Sequence, residues 1–137
     1  MFGHFFLDEG LELELHAGMK EVLALLDVEI PKFQCDSYGY DISSFKVISE
    51  THQWKLLVKP RSRESATIID APVGYVVVQG VGNDLTNLTI PPRNLWSQSQ
   101  EQAFDSEGKL FSSFIFQMLN ALQSKGYIQL PGVLPVA

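Results

Sequence analysis

A chain of 137 residues, 45% hydrophobic but only 19% charged, is sized for one domain, residues 1–137, with a sizeable core. Its net charge of −6 argues against nonspecific binding to nucleic acid or to an anionic membrane, and no stretch nears the ~18 consecutive apolar residues of a bilayer-crossing helix. So oily a composition points to apolar surface buried in a homo-oligomer, with a dimer favoured.

Residues 2–16 read as a β-hairpin. Its odd positions are Gly3, Phe5, Leu7, Leu11, Leu13 and Leu15. Its even positions are His4, Phe6, Glu12, Glu14 and His16. Side chains alternate across a strand, so apolar groups sort onto one face and charged groups onto the other. Asp8-Glu9-Gly10 supplies the turn, with Gly suited to a left-handed position. A single helix over residues 9–26 is the competing reading, carried by Leu11, Leu15, Met19, Val22 and Leu26; Gly10 and Gly18 weigh against it. No basic region precedes the first apolar run, and Asp8 and Glu9 interrupt it, so a secretory signal is not expected.

Met19, Val22, Leu23 and Leu26 then have the spacing of a short helix over residues 19–26. Pro31 ends it, and residues 32–41 read as a loop with aromatic anchors. Strands are expected over residues 42–49, 54–59, 66–70, 75–81 and 87–90, with turns at 49–52, 60–65 and 70–74. Gaps this short favour antiparallel neighbours. Pro91-Pro92 stops the β region, and residues 93–104 read as the longest irregular, mobile stretch. Residues 106–125 form an amphipathic helix through Leu110, Phe111, Phe114, Ile115, Met118, Leu119 and Leu122, ended by Gly126. A last strand, 127–130, precedes an apolar tail. The expected fold is α+β: an antiparallel β-sheet packed against the long C-terminal helix, with an N-terminal β-hairpin and one short helix.

Chemistry is thinly signalled. Cys35 is the only cysteine, which favours a buried structural thiol and a reducing compartment, the cytoplasm. His4, Glu14 and His16, with Glu12 beside them, offer imidazole and carboxylate donors for a divalent metal; without a spacing that fixes ligand geometry, an exposed polar face is the simpler reading. Alternation places Lys55, Leu57, Lys59 and Arg61 on one strand face, and Trp54, Leu56 and Val58 on the other. That basic strip, continued by Arg63, suits a carboxylate, a phosphate or an acidic partner surface, including the acidic N-terminal half of this chain or of a neighbouring subunit. Tyr38, Tyr40, Trp54, Tyr75 and Trp96 are candidates to line a pocket between sheet and helix.

Residues 80–84, Gly-Val-Gly-Asn-Asp, lack the third Gly and the Lys-Ser/Thr ending of a phosphate loop and read as a turn. Asn87-Leu88-Thr89 matches a glycosylation sequon, without any sign of secretion to support it. His52, with Asp41 or Asp70 as orienter, and Ser43, Ser44 and Ser65 complete the polar inventory, none in a known nucleophile context. The leading expectation is a noncatalytic, self-associating binding protein with no cofactor. It would recognise a protein or small ligand through Lys55, Lys59, Arg61, Trp54, Tyr75 and Trp96. A small enzyme or ligand sensor with a pocket between sheet and helix is the alternative.

Overall fold

The computed structural model describes residues 9–41, 45–48, 53–65, 72–96 and 108–128. In chain order they form β1 (Leu11–Leu15), α1 (Met19–Glu29), a 3-10 turn (Ile30–Lys32), β2 (Gln34–Cys35), β3 (Tyr38–Asp41), β4 (Phe45–Ile48), β5 (Gln53–Ser62), β6 (Gly74–Gly82), β7 (Leu85–Ile90), a second 3-10 turn (Arg93–Leu95) and α2 (Lys109–Ser124). The strands make one seven-stranded sheet in the order β1-β7-β6-β5-β3-β2, with β4 also paired to β5. Every pairing is antiparallel. The fold is α+β, with the long C-terminal helix against the sheet.

Alternation decides which side is which. Leu15, Leu56, Val58, Val76, Val78, Leu88 and Ile90 are buried on the inner face. The helices cover that face. α1 contributes Val22 and Leu26, and α2 contributes the whole expected stripe from Leu110 to Leu122. Phe114 is the hub of the aromatic core. Its ring centroid lies 5.7 Å from that of Phe33, 5.4 Å from that of Tyr40 and 6.1 Å from that of Phe111. The approach of α2 to β6 demands Gly74: a Cβ there would come within 2.5 Å of the Phe111 ring. One buried polar side chain, Thr86, is satisfied because its hydroxyl donates to the Ala17 carbonyl at 2.7 Å.

The termini of the elements follow local rules. Gly10 takes φ +80°, and a Cβ there would sit 2.8 Å from the Pro92 nitrogen, so the entry to β1 suits glycine alone. At the far end of α2, Gly126 donates to Gln123 O and Tyr127 to Leu122 O. These are the two bonds of a Schellman cap, with Gly126 left-handed at φ +80°.

Several boundaries differ from the sequence expectation. Residues 11–15 are strand, as the hairpin reading requires, and all five pair with residues 86–90 of β7; the other arm, residues 2–7, lies outside the described residues. Residues 32–41 are not a loop. They hold the β2–β3 hairpin, turned by Asp36 at φ +56°, which the absence of β-branched residues in that stretch concealed. Residues 60–62 belong to β5 rather than to a turn. Val58 O accepts from Val73 N, so Pro60, two residues on, aims its missing N–H to the same side. β6 has ceased to pair there, after Val58↔Gly74. A proline is tolerated at such an edge.

Residues 93–96 are ordered as a 3-10 turn followed by buried Trp96, instead of opening a mobile loop. Tyr127 and Ile128 are irregular, not strand. The helix begins at Lys109 after left-handed Gly108. The expected strand over 66–70, the turn over 49–52 and residues 97–107 and 129–137 lie outside the described residues.

Candidate functional site

The candidate site is the outer face of β5. Lys55, Leu57, Lys59 and Arg61 are half-buried there, while Leu56, Val58 and Pro60 face the core. Lys55 Nζ lies 4.2 Å from the centroid of the Tyr75 ring on β6. Tyr75 sits directly opposite Leu57, so the contact is diagonal across the two strands, as expected for a long side chain beside an aromatic one. Such a cation–π contact contributes about 0.5–1 kcal/mol at an exposed site. It also fixes where the ammonium is presented.

The strip is partly neutralised by the chain itself. Arg61 Nη2 donates to Asp41 Oδ1 at 2.9 Å. The Arg61 side chain is 44% exposed and that of Asp41 23%, so screening keeps this pair to about 1 kcal/mol or less. Arg61 Nε is buried and lacks a hydrogen-bond partner among the described residues. The guanidinium therefore does not close a bidentate fork on Asp41. Arg63 is drawn away, its Nη1 donating to Asp36 O at 3.3 Å, and Asp36 also pairs with Lys109 at 2.7 Å. Of the hairpin carboxylates, Asp41 alone meets a base of the strip; Arg63 is met by a backbone carbonyl, and the Asp36 carboxylate by Lys109 of α2.

The candidate aromatic residues do not converge. Tyr75 is on the outer face. Trp54 is half-buried and, by alternation, on the inner side. Trp96 belongs to the core: its Nε1 donates to Pro91 O at 2.9 Å and its ring meets Phe111 edge-on at 4.8 Å. Tyr40 is buried and donates its hydroxyl to Leu110 O at 2.6 Å. Tyr38 is half-buried on β3, at the register position of Ser62.

Between α1 and the sheet lies a cavity of about 80 Å³, lined by Leu23, Leu26, Ile30, Tyr40 and Leu56, with Asp27 and Asp41 at its polar side. Small-molecule sites are usually at least ~300 Å³. Larger hollows of about 460 and 830 Å³ are open grooves along α2.

Glu12 and Glu14 are exposed on the outer side of β1, and His16 is exposed just past its end. His4 lies outside the described residues, as do His52, Asp70, Ser43 and Ser44. Among the described residues, no three His, Cys, Asp or Glu side chains come together in a metal-binding group. Ser65 is exposed in the turn after β5, Cys35 is buried, and residues 80–84 form the bulged β6–β7 turn. Asn87 is half-buried within β7.

One relation escaped the sequence reading. Glu12 is opposite Thr89, Thr89 opposite Val77, and Val77 opposite Lys55. An acid and a base thus share one cross-sheet row, on the same face, and Lys46 of β4, opposite Lys55, continues it. Only the strand order β1-β7-β6-β5 reveals it, and local patterning carries no such signal.

No protein-family model matches the chain, and no curated protein matches it. Among the described residues, no helix is long and apolar enough to cross a membrane.

Proposed function

We propose that this chain is a noncatalytic interaction domain that recognises an acidic protein surface through the outer face of its sheet. One observation supports the reading above the rest. Lys55, Lys59 and Arg61 share the face opposite both helices, with the Lys55 ammonium held over Tyr75. Charge-assisted bonds from Lys and Arg to carboxylates are the chemistry such a face offers. The interior gives a pocket reading less support, because the cavity between α1 and the sheet holds little more than a few water molecules. The single buried thiol suits a reducing, cytoplasmic setting.

The test uses a poly-glutamate peptide as acidic probe, titrated into the full chain by calorimetry at low and high salt. The wild type is expected to bind, more weakly as salt rises, since screening suppresses exposed charge pairs. Reversing Lys55 and Lys59 together to Glu should weaken binding by about tenfold or more. Binding that is equally tight in the reversed protein, or that ignores salt, would overturn the reading.

A further inference from the structure

Resting on that outer-face reading, we propose that the acidic surface is the β1 edge of a second copy of this chain, in a two-fold dimer that stacks the two outer faces. The geometry of one sheet row carries the argument. Glu12, Thr89, Val77 and Lys55 follow one another across β1, β7, β6 and β5. Strands lie about 4.8 Å apart, so acid and base are separated by about 14 Å. Among the described residues neither Glu12 nor Glu14 has an ion-pair partner.

Two orientations of a two-fold axis between stacked sheets can be compared. An axis running across the strands lays β1 on β1 and sets carboxylates against carboxylates. An axis running along the strands, between β7 and β6, lays β1 of one copy on β5 of the other and leaves every row at its own level. Glu12 then faces Lys55 of the second copy, and symmetry makes the contact twice. Stacked sheets are about 10 Å apart, a gap that Glu and Lys side chains span together.

Aligned sheets cross at about 30°. With Glu12 and Lys55 each about 7 Å from the axis, that crossing offsets them by about 4 Å, roughly one residue, which a Lys stem absorbs. Thr89 and Val77 lie at the centre, with Leu57 and Tyr75 beside them. Four strand widths by six residues give about 400 Å² of face per copy. A standard interface buries about 800 Å² per partner. The dimer is therefore weak and reversible.

Sedimentation velocity on the full chain, over a micromolar concentration series, tests this. The wild type should pass from about 15 kDa to twice that mass as concentration rises, and high salt should shift the transition upward. Glu12→Lys and Lys55→Glu should each stay monomeric over the same range, because each places like charges at both contacts. Mixing the two variants should restore the doubled mass, since both contacts, position 12 of each copy against position 55 of the other, then pair opposite charges. A single chain carrying both exchanges should also dimerise, which shows that the exchanged side chains are compatible with folding. A wild type that stays monomeric, single variants that dimerise like it, or a mixture that stays monomeric would each overturn the dimer. Poly-glutamate binding separates the two claims: a monomer that still binds the peptide through Lys55 loses the dimer and keeps the recognition face.

Discussion

The two faces of this sheet are built from the same strands and meet different fates. On β5, Leu56 is fully buried beneath the helices, whereas its neighbour Leu57 is only half-buried on the other side. The inner face is closed by Phe111, Phe114 and Met118 of α2 and by Val22 and Leu26 of α1. The outer face presents Lys55, Tyr75, Val77 and Thr89 with no helix among the described residues over them. Stability and recognition are thereby separated by a one-residue step along the chain. Inner positions are constrained by volume, and outer positions by charge and placement.

The largest effect that can break this contrast is at the aromatic hub. Phe114→Ala removes a fully buried ring in contact with three others and should cost about 3–5 kcal/mol. Urea unfolding would register it, and a change below about 1 kcal/mol with native structure retained would contradict the core assignment. The adjacent pair sharpens the test. Leu56→Ala should cost about 2–5 kcal/mol, as for a buried Leu leaving a cavity. Leu57→Ala should cost under about 1.5 kcal/mol, since only part of a Leu transfer energy is at stake. Similar losses at both positions would mean that the outer face is covered in the monomer.

Next comes overpacking. Gly74→Ala pushes a methyl group to within 2.5 Å of the Phe111 ring, so the helix or the strand must shift, at about 1–3 kcal/mol. Combining it with Phe111→Leu should relieve part of that cost, and a double-mutant cycle measures the coupling. Strict additivity would show that Gly74 is dictated by something other than the closeness of α2.

How far all this was legible depended on the range of the physics involved. The α2 stripe is a local 3.6-residue pattern, and each of its seven apolar residues is buried. The inner–outer split of β5 is a local two-residue pattern and also held. The β2–β3 hairpin did not announce itself, because Gln34, Cys35 and Gly39 have little intrinsic strand preference and are held extended by pairing with one another and, through β3, with β5. Pro60 misled for a related reason: its tolerance depends on where β6 stops pairing, which is a tertiary fact. Trp96, read as a site residue in a loop, is instead fixed by Phe111 and Pro91. The basic strip was visible residue by residue. Its partial neutralisation by Asp41 and its shared row with Glu12 required the strand order.

The smallest expected effect concerns that neutralisation. Asp41 and Arg61 are joined by a single 2.9 Å contact between partly exposed side chains. A cycle of Asp41→Asn, Arg61→Gln and the double variant should give a coupling of about 0.2–1 kcal/mol, shrinking as salt is raised. The same substitution should act oppositely on recognition. Removing the Asp41 charge frees the Arg61 guanidinium and lowers the local negative potential, so Asp41→Asn should bind poly-glutamate more tightly than the wild type while unfolding slightly more easily. That opposition arises because Asp41 stabilises the hairpin by occupying a base on the recognition face. If Asp41→Asn weakens peptide binding, or if its coupling to Arg61 exceeds about 2 kcal/mol and ignores salt, the pair is a structural anchor of the kind found inside the core, and the division between the two faces is less sharp at β3 than it is at β5.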